Sequence, residues 1–170
     1  MSAIGLFRAK WTEKIHGEWI SNLLINRADL TFEKLARTKD LMNRAVADSL
    51  VEGYEALIAG LTLPDRDDCH VLAAAIHCSA GAIITFNLKD FPPHMLSPYA
   101  IEPHHPDEFI HQQLGINAAA VLNAARRCRG RLKNPPLNSD EYLLVLERCG
   151  LPQSVDRLRQ LCITGDRHLS

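Results

Sequence analysis

The sequence predicts an α/β protein: a domain with a short parallel sheet flanked by helices, followed by an all-helical C-terminal extension. Three observations carry this. The run AIITF at 82–86 is short, apolar and rich in β-branched residues, as expected of a strand buried on both faces of a parallel sheet. It follows a run of strong helix formers, Cys69 to Ser79, which Ala80-Gly81 is expected to stop. From Pro106 onward only helical patterns occur.

In chain order, TEKIHGEWISNLLI (12–25) predicts a helix capped by Thr12, with Ile15, Trp19, Leu23 and Leu24 on one apolar face. A second helix starts at Thr31 and runs through Leu35, Thr38, Leu41, Met42 and Ala45. After AIITF, a further short strand is expected at Tyr99 to Glu102. Four helices follow, over DEFIHQQL, NAAAVLNAARRCRGRLK, NSDEYLLVLERCG and PQSVDRLRQLC. Asn138 and Glu141 have the spacing of a capping box, and Pro152 suits a first helical position.

The 170 residues suit one domain, or a domain of about 100 residues with an appendage. Hydrophobic residues at 46% and charged residues at 23% exclude a disordered chain, and a net charge of −1 gives no global attraction for nucleic acid. Cys69, Cys78, Cys128, Cys149 and Cys162 are odd in number and form no Cys-x-x-Cys pair, which points to a reducing cytoplasm rather than a disulfide framework. No apolar run approaches the roughly 18 residues that span a bilayer, so no membrane association is expected.

The chemistry concentrates in LPDRDDCH. Asp65, Asp67 and Asp68 stand where an acidic loop meets a helix N terminus, with Asn87 and Asp90 at the carboxyl end of the following strand, where ligands collect in parallel sheets. Clustered carboxylates suit a hard cation such as Mg²⁺ or Mn²⁺. They equally suit helix capping, and Asp65 or Asp67 is expected to serve as the cap and leave Asp68 to project from the first turn. Glu18 alone reads as a surface glutamate, and Asn87 and Asp90 alone as turn formers. His70 and His77 read as packing or capping groups on one helical face. His104, His105 and His111 near Asp107 lack the paired spacing of a zinc site. Arg126, Arg127, Arg129, Arg131 and Lys133 form the most basic stretch, with no acid among them. It suits phosphate contacts with RNA, a solvated helical face, or an acidic segment of a protein partner.

DDCHVLAAAIHCSAGAIITFNLKDFP (67–92) resembles the second half of a PIN domain, and IHGEWISNLL (15–24) resembles the helix that carries that family's glutamate. The similarity is to VapC-type toxins with a helical C-terminal extension, which implies a PIN-like domain over 1–105 and the extension over 106–170. What the resemblance implies is an Mg²⁺- or Mn²⁺-dependent endoribonuclease, the toxin of a type II toxin–antitoxin system, with an RNA substrate, a cognate antitoxin as partner and a homodimeric state. Residue by residue, Glu18 matches the second acid and Asp68 the third; the fourth falls at Asn87 or on Asp90, and Asp67 supports them. Asn87 departs from the pattern, because an amide binds a cation more weakly than a carboxylate. The strand carrying the family's first acid has no counterpart before Phe7. A misassigned start codon, the favoured explanation, a strand from a second chain, or a decayed gene would each account for that. The last would leave a catalytically impaired, truncated PIN-like protein acting as an antitoxin- or RNA-binding module.

Overall fold

A computed structural model describes residues 5–165, with side chains through Leu161. Met1 to Ile4 and the Cys162 side chain therefore lie outside the described residues. In chain order the elements are α1 (Glu13–Asn26), α2 (Phe32–Ala45), α3 (Glu55–Ile58), α4 (Cys69–His77), β1 (Ala82–Ile84), α5 (Pro93–Leu96), β2 (Glu102–His104), α6 (Pro106–Ile116), α7 (Ala118–Arg131), α8 (Ser139–Arg148) and α9 (Pro152–Gly165). The protein is mostly helical around a two-stranded parallel sheet in which Ala82 pairs with Glu102 and Ile84 with His104.

Side-chain caps set the helix starts as the sequence predicts. Thr12 accepts from the Ile15 amide and Thr31 from the Lys34 amide, and Asn138 with Glu141 closes a full capping box on α8. The buried face of α1 is not the expected one: Trp19 and Leu23 are half-buried, Leu24 is exposed, and His16 and Ile20 go inward. A hydrogen-bond chain explains the rotation. His16 Nε2 meets Asn43 Oδ1 at 3.0 Å, its Nδ1 accepts from Trp19 Nε1 at 2.9 Å, and Trp11 Nε1 donates to the same Asn43 oxygen. A buried histidine with both nitrogens satisfied fixes the helix as firmly as an apolar side chain. On α2 only Leu35 is buried, and Leu41 lies exposed.

α4 is the central helix. Leu72 and Ala75 face one apolar cluster with Leu63, Ile83, Leu96 and Ile101, while Ala73 and Ala74 face another with Val51 and Tyr54. Its alanines allow packing on both sides. The helix ends at His77, with Cys78 as its C-cap, before Ala80-Gly81 is reached: Ser79 adopts φ 53°, its amide donates to the Ile76 carbonyl, and the Ala80 amide donates to the Ala75 carbonyl, a Schellman closure.

β1 is buried on one face only. Ile83 packs against α4, but Ile84 is 42% exposed and Phe86 62% exposed, because α4 covers a single face and, among the described residues, only β2 pairs with the strand. The second strand begins at Glu102 rather than Tyr99, since Ser97–Tyr99 forms a 3₁₀ turn closed by Ala100 at φ 55°. The pairing of Trp11 with Leu50, another parallel bridge, ties the segment before α1 to the segment before α3.

α6 to α9 pack on their own cluster of Leu114, Val121, Leu143, Val155 and Leu158. Asp107 joins α6 to α9. Its two carboxylate oxygens accept from the Gln153 and Ser154 amides at 2.9 and 2.8 Å, satisfying the start of α9 from the start of α6. Phe7 stacks edge-on against Phe109, and Phe86 against His105, so the chain before 105 leans on these helices. Among the described residues no helix is long and apolar enough to cross a membrane.

Candidate metal centre

Two short 3₁₀ turns build the centre. The first, Arg66–Asp68, runs straight into α4, and Asp65 caps it by accepting from the Asp67 amide at 2.9 Å. With three residues per turn, such a helix stacks side chains at i and i+3. Asp65 and Asp68 therefore lie on one side. The second turn, Leu88–Asp90, follows β1 and places Asp90 at that strand's carboxyl end, again three residues after its cap, Asn87. Asn87 Nδ2 donates to Asp90 Oδ2, and the Asn87 amide donates to Thr85 Oγ1 at 3.0 Å. The turns converge so that carboxylate oxygens of Asp65, Asp68 and Asp90 all lie within 4.8 Å of one another.

These groups are not neutral bystanders. Burial, then the charges of Asp65, Asp90, Glu18 and Asp67, push the Asp68 carboxyl above its ordinary value. Like charges gathered at such distances favour a proton or a cation between them. The donor set is all oxygen and anionic, which suits a hard divalent cation such as Mg²⁺ or Mn²⁺ and not a soft one. Asp68 makes no side-chain capping bond to α4, so its oxygens are free for a ligand.

Glu18, on α1, stands at the edge of the cluster, near enough for its charge to act on Asp68. One of its oxygens lies 2.9 Å from Nε2 of His70, which is only 1% exposed. Burial lowers the His70 pKa, against the pull of Glu18. Glu18 also lines an open cleft of about 400 Å³ with Lys14, Gly17, Ser21 and Asn22, spaced at one helical face of α1. Asp67 is exposed; its carbonyl oxygen accepts from Lys14 Nζ at 3.5 Å, and its carboxylate is not in the triad.

The structure thus brings Asp68 and Asp90 together, sets Glu18 beside them, and places Asn87 as a brace on Asp90. Asp65, which the sequence offers as a helix cap, serves as cap and cluster member together. The signal was the i, i+3 spacing of Asp65 and Asp68, which becomes informative once the turn is known to be 3₁₀. His70 and His77 do not share an environment: His70 is buried against Glu18, whereas His77 is exposed at the end of α4. His105 caps α6 by accepting from the Asp107 amide, and Asp107 is used up in holding α9.

The basic stretch lies on α7 and just beyond it. Arg126 and Arg127 are exposed and, with Ala120 and Asn123, line a shallow cavity of about 490 Å³. Arg131 and Lys133 are exposed too, while Arg129 is half-buried and donates to Ser139 Oγ at 2.8 Å. Cys69, Cys78, Cys128 and Cys149 are free thiols.

Comparison with known proteins adds sequence kinship. The VapC50 C-terminal domain family matches residues 106–160. A Mycobacterium tuberculosis H37Rv protein named "Putative ribonuclease VapC50" is 35% identical over 113 residues, a match covering 66% of this chain and 66% of that protein. The matched region spans just under two thirds of that relative. No solved structure matches the chain.

Proposed function

Because the chain belongs to the VapC-type PIN-domain proteins, we propose that it is a metal-dependent endoribonuclease, the toxin of a type II toxin–antitoxin pair acting in the cytoplasm. Its organisation is then a PIN-like domain over 1–105 and a helical extension over 106–170. The observation that carries the reading is the meeting of Asp65, Asp68 and Asp90 within 4.8 Å where α4 begins and β1 ends. These three would hold Mg²⁺ or Mn²⁺, with Glu18 completing the set from α1. A divalent cation, when bound, supplies Lewis acidity, easing deprotonation of water and offsetting charge that develops on a phosphodiester.

The chain's own residues do the positioning. The 3₁₀ turns hold Asp65 and Asp68 in register without relying on long flexible side chains, and Asn87 orients Asp90 by its amide. Asn87 acts here as a support to a ligand. Lys14, Ser21 and Asn22 offer donors to a sugar–phosphate backbone in the cleft beside Glu18. Arg126, Arg127, Arg131 and Lys133 give the RNA a sequence-independent electrostatic hold, and Arg129 supports α7 through Ser139. The partners that follow are RNA, a cognate antitoxin protein and a second copy of the chain.

The test is cleavage of labelled total RNA by the 170-residue chain in Mn²⁺, beside Asp68→Asn and an EDTA control. Discrete fragments that vanish in both controls are expected. No cleavage beyond the Asp68→Asn background would overturn the reading in favour of a non-cleaving antitoxin- or RNA-binding module.

A further inference from the structure

Among the groups surrounding the acidic cluster, His70 has the least ordinary setting. It is the second residue of α4, so the helical start that fixes Asp68 fixes the imidazole as well. It is 1% exposed, yet neither ring nitrogen makes an aligned hydrogen bond: Nε2 makes a close but bent approach to Glu18 Oε1 at 2.9 Å, and Nδ1 has no partner. Burying an imidazole in this way costs stability, and a leucine would fill the space without that cost. Packing therefore does not account for it. A carboxylate oxygen only accepts, so the approach requires the proton on Nε2. With Oε1 facing the ring, the second Glu18 oxygen remains available beside the cluster.

We infer that His70 is a positioning residue: through its Nε2–H it holds the Glu18 carboxylate at the rim of the acidic cluster, oriented to bind a divalent cation there. This rests on the metal-centre reading above. Groups that orient a ligand in this way typically change metal affinity about 10- to 100-fold when removed. His70 does not meet the RNA, and its effect passes through Glu18 alone.

The experiment is calorimetric titration of the full chain with Mn²⁺, comparing wild type, Asp68→Asn, His70→Leu, His70→Gln, Glu18→Gln and the double variant Glu18→Gln/His70→Leu, with thermal melts of each in EDTA. His70→Leu is expected to weaken Mn²⁺ binding about tenfold or more. Its EDTA melting temperature should match or exceed wild type, which a structural role would not allow. His70→Gln, which keeps a donor, should recover part of the affinity, and the double variant should bind no more weakly than Glu18→Gln. Wild-type affinity in His70→Leu, with binding lost in Asp68→Asn, would overturn the inference and leave the metal centre standing. A full further loss on the Glu18→Gln background would also overturn it. If His70→Leu melts below wild type, His70→Gln decides: affinity no better than that of His70→Leu overturns it. Absence of Mn²⁺ binding by wild type would overturn the metal centre and this inference together.

Discussion

Replacing Asp68 by Asn should make the metal-free protein more stable, not less. Asp68 caps nothing, so an amide of the same shape loses no hydrogen bond to α4. It also ends the repulsion with Asp65 and Asp90, whose oxygens lie within 4.8 Å. At that separation a carboxylate pair repels by about 1 kcal/mol in water-like dielectric and about 3.5 kcal/mol at an effective dielectric of about 20. Asp68 and Asp90 are half-buried and Asp65 is exposed, so a net gain of about 1–2 kcal/mol is expected, or about 2–8 °C in melting temperature for a chain of this size. Saturating Mn²⁺ should reverse the order, since a ligand at 100 times its Kd stabilises wild type by about 2.7 kcal/mol. The pH dependence has a fixed sign. The fold holds the Asp68 carboxyl above 3.8 and so prefers it protonated. In EDTA, wild-type stability falls as pH rises from 3.8 through the raised value, and the Asn variant lacks that fall. Scanning calorimetry in EDTA across this range measures both. An Asn variant that melts below wild type at neutral pH would refute the argument that the cluster is electrostatically strained.

Further outcomes follow from other parts of the molecule. Asp107→Ala leaves the Gln153 amide and the buried Ser154 amide without acceptors, and should cost about 2–4 kcal/mol in denaturant unfolding. Burial would raise the Asp107 carboxyl, but the Ser154 hydroxyl and amide and the Gln153 amide outweigh it and hold it below 3.8. The stability difference between wild type and Asp107→Asn should therefore be complete above 3.8 and disappear as pH falls through the lowered value. Ser79→Gly should stabilise by about 1 kcal/mol, because Ser79 sits at φ 53° where only glycine avoids a steric cost; no gain in melting temperature would contradict the Schellman closure. Arg126→Ala/Arg127→Ala should weaken binding of single-stranded RNA and shrink the slope of log K against log salt by about 1.4, about 0.7 for each lost phosphate contact. Arg129→Ala should change that slope little, as its guanidinium is engaged by Ser139.

Much of this was legible in the sequence where local rules decide. The four C-terminal helices, the Asn138 capping box, Pro152 at the start of α9 and the Thr12 and Thr31 caps depend on residues within one turn. What was not legible depends on partners distant in the chain. The inward turn of His16 needs Asn43, 27 residues away, and the role of Asp107 needs the amides of α9, 46 and 47 residues on. AIITF has the composition of a doubly buried strand, yet its exposure is set by how many layers cover it, which composition does not encode. In the acidic cluster, Asp68 and Asp90 were legible as residue types in a suggestive order. Asp65 was not, because its place follows from a 3₁₀ rather than an α-helical turn. The partner of His70 lies 52 positions away on α1, beyond any spacing rule.

The most direct measurement is the stoichiometry of Mn²⁺ on the purified chain, followed by the loss of its free-ion paramagnetic resonance signal on titration at neutral pH. The account predicts saturable binding by wild type, abolished by Asp68→Asn and by Asp90→Asn and unaffected by Asp140→Asn on the distant α8. Equal binding by all four proteins, or none by wild type, would contradict it.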